Sequence, residues 1–292
     1  MERPDVSVVV VTWNAREHVE RCLDSVRGRD VVVVDNGSTD GTVELVRERF
    51  PEARVLEQEN VGMGGGNNAG MRIAEGRYFF LLNSDAWVEA DALDRLIAFA
   101  DEHPNAAVVG PKLQNPDGSL QRSVRGEPTL WRLSTEYFFI RKLAPHTNLL
   151  NPLYVGGFAH DAAREVDWLS GAALLVRRDA ADAVGLFDED FFMFSEEVDW
   201  QTRFRRAGWT IWFCPDAVVT HIGGASHGGR MYVENLRGQL RFLAKHQGIR
   251  RAERARRVLL IALRLRALVL RRPEYREGIS FLASGNVRTL LS

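Results

Sequence analysis

The sequence predicts an α/β protein: a mostly parallel sheet flanked by helices, followed by a helical C-terminal extension. Three observations lead there. Apolar runs of strand length recur through the first part of the chain, each is followed by apolar residues at helical spacing, and the junctions are rich in Gly, Asn, Asp, Ser and Thr. Successive strand–helix pairs give parallel neighbours, and ligands of such sheets lie at the strands' carboxyl ends.

Val6 to Thr12 is β-branched and reads as the first buried strand, with Asn14 placed to cap a helix carrying Val19, Leu23 and Val26. Val31 to Val34 is the second strand; the turn from Asp35 to Thr42 precedes a helix with Val43, Val46 and Phe50. Arg54 to Leu56 is a short third strand, and Gly62 to Gly70 opens a third helix. Tyr78 to Leu82 is the fourth strand, followed by a helix over Asp91 to Ala100. From Val108 the pattern changes to turns, irregular segments and a helical stretch, expected to cover the active face. Strands return at Val166 to Val176 and around Gly208 to Phe213, with a helix from Val198 to Ala207 between them. The expected organisation is a catalytic domain over residues 1–245, with a nucleotide-binding half at 1–110 and an acceptor-side half at 111–245, then a basic helical extension at 246–292.

Composition is that of a folded protein, with 45% hydrophobic and 26% charged residues and a formal net charge of -1. Two cysteines, Cys22 and Cys214, argue against a disulfide framework and for a reducing compartment. The N-terminus lacks the basic lead of a signal peptide, and no run of spanning length is uninterrupted by charge, so a cytoplasmic location is expected.

Two acidic stretches carry the chemistry. Asn83-Ser84-Asp85 ends the fourth strand, and Glu196-Glu197-Val198-Asp199-Trp200 follows apolar sequence. A hard divalent cation prefers oxygen ligands like Asp85, and a carboxylate such as Glu197 can take the proton of an acceptor hydroxyl. The plainer alternative for Glu196 and Glu197 is that they charge a helix N-terminus, and for Asp199 and Arg203 that they pair at i, i+4. Asp35 ends an apolar strand and offers an acceptor for the imide N–H of a uracil or thymine ring, whereas Asp40 reads as a helix cap. The glycine-rich segment from Asn60 to Gly70 can let backbone approach a phosphate, or can simply allow close helix packing; it lacks the dinucleotide fingerprint.

Val8 to Asn14, the Asp35–Thr42 turn, Asn60-x-Gly62, Leu82-Asn83-Ser84-Asp85 and Glu196-Glu197-x-Asp199-Trp200-x-x-Arg203 together resemble family 2 glycosyltransferases, in the family's order. The likeness spans roughly Val6 to His221 and is nearest to the bacterial rhamnosyltransferase-like branch, which builds cell-wall and surface polysaccharides. It implies a GT-A fold, a nucleotide-sugar donor, a divalent metal (Mg2+ or Mn2+), inversion at the anomeric carbon and a glycan or lipid-linked glycan acceptor. Carried over by position, it implies donor contacts at Thr12, Asn14, Asp35, Gly62, Asn67, Asn83 and Ser84, metal ligation by Asp85 and His221, and a base at Glu197 or Glu196. It also puts Trp168, Gly171, Asp199, Trp200 and Arg203 on the acceptor side. Asn83 stands where the family often has a carboxylate, and Glu197 where it commonly has Asp. Trp200 is a candidate sugar platform, while Trp131 is expected to fill the core.

Residues 250–272 hold nine arginines against Glu253 alone, around an apolar helix from Val258 to Leu270. Such a helix either lies in an anionic membrane surface, which would suit a lipid-linked acceptor, or packs on the catalytic domain or a second subunit. Nucleic acid is not an expected partner, since the body is not basic. The leading expectation is a metal-dependent inverting glycosyltransferase using dTDP-rhamnose, peripheral at the inner face of the plasma membrane. A nucleotidyltransferase is the rival enzyme class, disfavoured because residues 6–14 contain no Lys or Arg; a nucleotide-sugar-binding scaffold is the non-enzyme alternative.

Overall fold

The computed structural model describes residues 4–223 and 229–291. The elements run β1 (Val6–Thr12), α1 (Val19–Asp24), β2 (Asp30–Asp35), α2 (Thr42–Arg49), β3 (Arg54–Glu57), α3 (Gly62–Ile73), β4 (Tyr78–Asn83), β5 (Ala86–Val88) and α4 (Ala92–Glu102). Next come β6 (Ala106–Gln114), β7 (Leu120–Gln121), β8 (Val124–Arg125), α5 (Leu130–Tyr137), β9 (Arg164–Glu165), β10 (Trp168–Leu169), β11 (Ala173–Arg177) and α6 (Arg178–Val184). The chain continues through α7 (Glu196–Arg206), β12 (Thr210–His221), α8 (Gly229–Gln247), α9 (Ile249–Leu270), α10 (Pro273–Ala283) and α11 (Val287–Leu291).

Two compact units interleave along the chain: residues 1–124, 160–192 and 197–223 form one, and residues 125–159, 193–196 and 224–292 the other. The sequence reading drew its boundary after residue 245. In the fold, α5 joins the closing helices instead, because Arg266 of α9 donates to the carbonyls of Glu136 and Tyr137.

The first unit is a mixed sheet in the order β3-β2-β1-β4-β11-β6-β12-β5, with β7 on β6 and β9 on β12. β3, β2, β1 and β4 are parallel, as the sequence predicts, and β11 enters antiparallel between β4 and β6. β1 is buried at every position because both faces of the sheet are covered. Val6, Val8 and Val10 share a core with Val19 and Leu23 of α1, Val46 of α2 and Leu96 of α4. On the other face α3 lies so close that a Cβ on Gly66 would stand 2.7 Å from Val11 Cγ1, and one on Gly70 2.4 Å from Val9 Cγ1. The glycines of this helix therefore serve packing. Sequence reasoning misses β6 because Gly110 and Pro111 interrupt it; Gly110 leaves room for Leu169, and Pro111 pairs with Cys214 where a register shift relaxes the ladder.

At its start α3 meets another backbone. Gly62 has φ 82°, and a Cβ there would fall 1.9 Å from Phe192 O, which accepts a bond from Met63 N at 3.0 Å. The close approach at Gly62 is thus to protein backbone. Asn68 grips the same segment, donating to Phe187 O and accepting from Phe187 N.

α7 holds this segment from the other side, which corrects the acceptor-side expectation for three residues. Arg203 donates to Asp199 and to the carbonyls of Val184, Gly185 and Leu186. Trp200 is fully buried between Phe187 and Phe204, and its indole N–H donates to Gly185 O. Asp199 and Trp200 are fully enclosed, and Arg203 uses its guanidinium for the clamp. Trp131, expected in the core, is instead half exposed, its indole N–H on Leu149 O.

The second unit is helical. α8, α9 and α10 meet at Gly278, whose Cβ would lie 2.9 Å from Leu263 and 3.0 Å from both Leu236 and Tyr232. Phe194 and Ser195 adopt φ of 68° and 73°, uncommon for side chains of their kind, and the Phe194 carbonyl nests against Gly238 of α8.

Gly62→Ala combines left-handed strain with a backbone clash and should lower stability by on the order of 3 kcal/mol in urea unfolding. Arg203→Ala leaves the fully buried Asp199 without its ion pair, so a loss of about 3–5 kcal/mol is expected in the same measurement. An unchanged unfolding midpoint for Arg203→Ala, with weakened acceptor binding, would restore the acceptor-side role.

Candidate active site

The carboxyl edge of the sheet gathers Asp85 and His221 through a pairing absent from the sequence reading. β5 follows Asp85 directly and runs antiparallel to β12 with Ala86 opposite His221. Ile222 N then donates to Asp85 O, and Gly223 N to Asp85 Oδ2. His221 Nε2 stands 3.2 Å from Asp85 Oδ1 and 3.4 Å from Asn83 Nδ2.

Gln121 sets the imidazole. Its Nε2 donates to Asn115 Oδ1 and His221 O, which leaves Oε1 to accept from His221 Nδ1 at 2.7 Å. In the neutral ring the lone pair is therefore on Nε2, facing the Asp85 carboxylate. Two electron-rich atoms at 3.2 Å repel unless the ring is protonated or a cation lies between them. Ligands about 2.1 Å from one ion and at right angles stand about 3 Å apart, so this pair fits a divalent cation, with Gln121 orienting one ligand from behind. Among the described residues no group of three or more His, Cys, Asp or Glu side chains converges, so further ligands would come from a bound molecule or water. Burial resists ionisation of Asp85, but the hydrogen bond and charge of a protonated His221 outweigh it and hold the carboxyl below its ordinary range.

The second carboxylate reaches the same edge along the backbone. β11 pairs with β4 so that Asn83 N donates to Ala172 O. The adjacent Gly171 sits against Glu197: a Cβ there would be 3.6 Å from Glu197 Cβ. Gln201, fully buried one turn along α7, pairs both ways with the backbone of Leu169 and fixes the helix to β10. Sequence reasoning missed Gln201 because a lone Gln in a helix carries no signal. Glu196 is buried and Glu197 half-buried at the helix start. Trp168 is half-buried on the short β10.

The remaining positions are more structural than the resemblance implies. Asp35 is buried, and its carboxylate accepts from Thr12 Oγ1, Gly37 N, Ser38 N and Ser38 Oγ. Those four donors fill the carboxylate, so it braces the turn and does not stand open to a base. Asn14 does not cap α1, which begins after His18; it has φ 50°, and its Oδ1 accepts from Thr39 N. Asp40 accepts from Thr42 N just ahead of α2, and Asn67 donates to Met63 O within its own helix. Ser84 is half-buried between Asn83 and Asp85. What these braces leave outside is Trp13, 59% exposed at the end of β1, a flat ring that the sequence reading quoted only as part of a motif.

Comparison with known proteins identifies the family and the fold. The family model for glycosyl transferase family 2 matches residues 7–164. The N-acetylglucosaminyl-diphospho-decaprenol L-rhamnosyltransferase of Mycobacterium tuberculosis is 34% identical over 239 residues, covering 76% of this chain and 77% of that protein. Chondroitin synthase of Pasteurella multocida is 32% identical over 127 residues, 40% of this chain and 13% of its own length. Among solved structures, the mannosyltransferase PcManGT of Pyrobaculum calidifontis, in complex with GDP-Man and Mn2+, superposes with a TM-score of 0.58 at 19% identity, covering 99% of this chain and 86% of that one. GalNAc-T7 with UDP, GalNAc and Mn2+ gives a TM-score of 0.58 at 15% identity over 82% and 48% of the two chains. The fold is that of the GT-A glycosyltransferases, and the chain, an enzyme that transfers sugars, belongs to glycosyl transferase family 2.

Proposed function

We propose that this glycosyltransferase moves L-rhamnose from dTDP-rhamnose to a lipid-linked glycan in cell-wall or surface polysaccharide synthesis, on the cytoplasmic side of the membrane, with inversion. The observation that carries a single-displacement reading is the pair of carboxylates at one sheet edge, Asp85 beside His221 and Glu197 beside Gly171. The donor and acceptor classes are supported by likeness to the mycobacterial rhamnosyltransferase.

A divalent cation held by Asp85 and His221 would neutralise charge on the departing nucleoside diphosphate. Asn83, with its amide N–H near His221, adds a neutral donor where a second carboxylate would add charge. Trp13 offers its exposed ring to the donor base. Glu197 takes the proton of the acceptor hydroxyl as its oxygen bonds to the anomeric carbon and the bond from that carbon to the diphosphate breaks. Glu197 is favoured over Glu196 because its side chain faces Gly171, one residue from the strand contact with Asn83. Trp168 and Gly171 then border the acceptor, and the membrane contact expected of residues 250–272 suits an acceptor carried on a lipid.

The test is hydrolysis of a panel of nucleotide sugars with Mg2+ or Mn2+. Turnover of one donor, lost in Asp85→Ala and reduced at least about a hundredfold in transfer by Glu197→Gln, is expected; full activity of Glu197→Gln would move the base to Glu196 or elsewhere. Binding of nucleoside diphosphates without turnover of any donor would favour the scaffold. Gln121→Ala should weaken Mn2+ binding about tenfold by calorimetry without unfolding the chain, and unchanged affinity would remove Gln121 from the site's support.

A further inference from the structure

α9 has two apolar faces, and only one is used by its own unit. Ala252, Ala255, Leu259, Ala262 and Leu263 are buried among the helices. Ile261, Leu265, Leu268 and Val269, spaced by four, three and one, are exposed by 53%, 51%, 76% and 78%. Together with Leu270 they make five of the eleven exposed large hydrophobic residues among those described, all within ten positions. Packing inside the unit does not account for them.

The charges on α9 divide in the same way. Arg256 and Arg266 turn inward, to the carbonyls of Leu282 and of Glu136 and Tyr137. Arg264 of α9, and Arg271 and Arg272 just beyond its end, stay exposed beside the outer aliphatic stripe; Arg257 is exposed too but pairs with Glu253, as Arg272 does with Glu274. Arg266 also stacks on Phe139, which anchors the following turn, Ile140–Lys142, to this helix. Leu143, next in the chain, is 80% exposed and follows the exposed cation Lys142, Arg141 being paired with Glu136.

We propose that the outer face of α9 from Ile261 to Leu270, together with Arg271, Arg272 and Leu143, seats the chain on an anionic lipid bilayer. The aliphatic side chains enter the interface and the arginines bind headgroup phosphates. No helix of the described residues is long and apolar enough to cross a membrane, so α9 lies in the surface. A second copy fits this face poorly, because pairing would bring Arg264 and Arg271 of both copies together, while the flanking acids, Glu253 and Glu274, are engaged by Arg256, Arg257 and Arg272 of their own chain. The inference takes its purpose from the lipid-linked acceptor proposed above and its support from the exposed side chains of α9, its end and Leu143.

Vesicle co-sedimentation of the full chain tests it, with phosphatidylcholine alone and with phosphatidylglycerol added. The chain should sediment with the anionic vesicles only, less so at high salt. The triple change Leu265→Asn, Leu268→Asn, Val269→Asn, all at exposed positions, should cut that binding by at least about tenfold, while nucleotide-sugar hydrolysis in solution stays unchanged. Equal binding by the triple variant, or no binding by the native chain, overturns the proposal; a concentration-dependent dimer lost in the triple variant would give the face to a second copy. If no donor is hydrolysed by any form yet vesicle binding follows this pattern, the seat on the membrane stands and the transferase assignment of donor and acceptor falls.

Discussion

A carbonyl oxygen occupies the place of a side chain at Gly62, and much of the first unit depends on that contact. Phe192 O can accept from Met63 N only because residue 62 has no Cβ and adopts a left-handed backbone. The same economy of side chain at Gly66 and Gly70 lets α3 lie directly on Val11 and Val9. With α3 pressed on the sheet, Asn68 reaches the segment at Phe187, and Arg203 and Trp200 fix its other end at residues 184–186. The chain then leads through Phe194 and Ser195, both at positive φ, into the helix that begins with Glu196 and Glu197.

A second constraint is the pairing of β5 with β12. Three residues of strand after Asp85 decide which residue of a distant strand faces it, since a shift of one position would turn His221 to the other side of the sheet. Gln121 completes the arrangement by using its amide nitrogen on Asn115 and on the His221 carbonyl, which leaves one orientation for the imidazole. The geometry at this edge is thus set by backbone register first and by side-chain hydrogen bonds second.

Burial sorts residues of one type into different roles. Trp200 and Trp13 both sit in motifs shared with the family, yet Trp200 is enclosed by Phe187 and Phe204 while Trp13 faces outward. The arginines of α9 divide likewise, two into carbonyl clamps and the rest to the surface. Asp35 reads as a ligand because it ends an apolar strand, and four internal donors make it a brace. Sequence position fixes neither outcome, because enclosure depends on elements far away in the chain.

The sequence alone determined the four parallel strands and their crossover helices, since unbroken β-branched runs and helical spacing are local properties. It also determined the family, and it left open whether the Arg-rich helix meets a membrane or packs on protein. Only the tertiary structure decided that β6 continues through Gly110 and Pro111, that β11 enters antiparallel, and that the α3 glycines meet protein backbone and valines. It alone revealed Gln121 and Gln201, and it alone moved Asp199, Trp200 and Arg203 from the acceptor to the framework. The physical reason is common to all of these: hydrogen-bond partners and burial are set by residues distant in the chain, and no local pattern of residue types records which of them will meet.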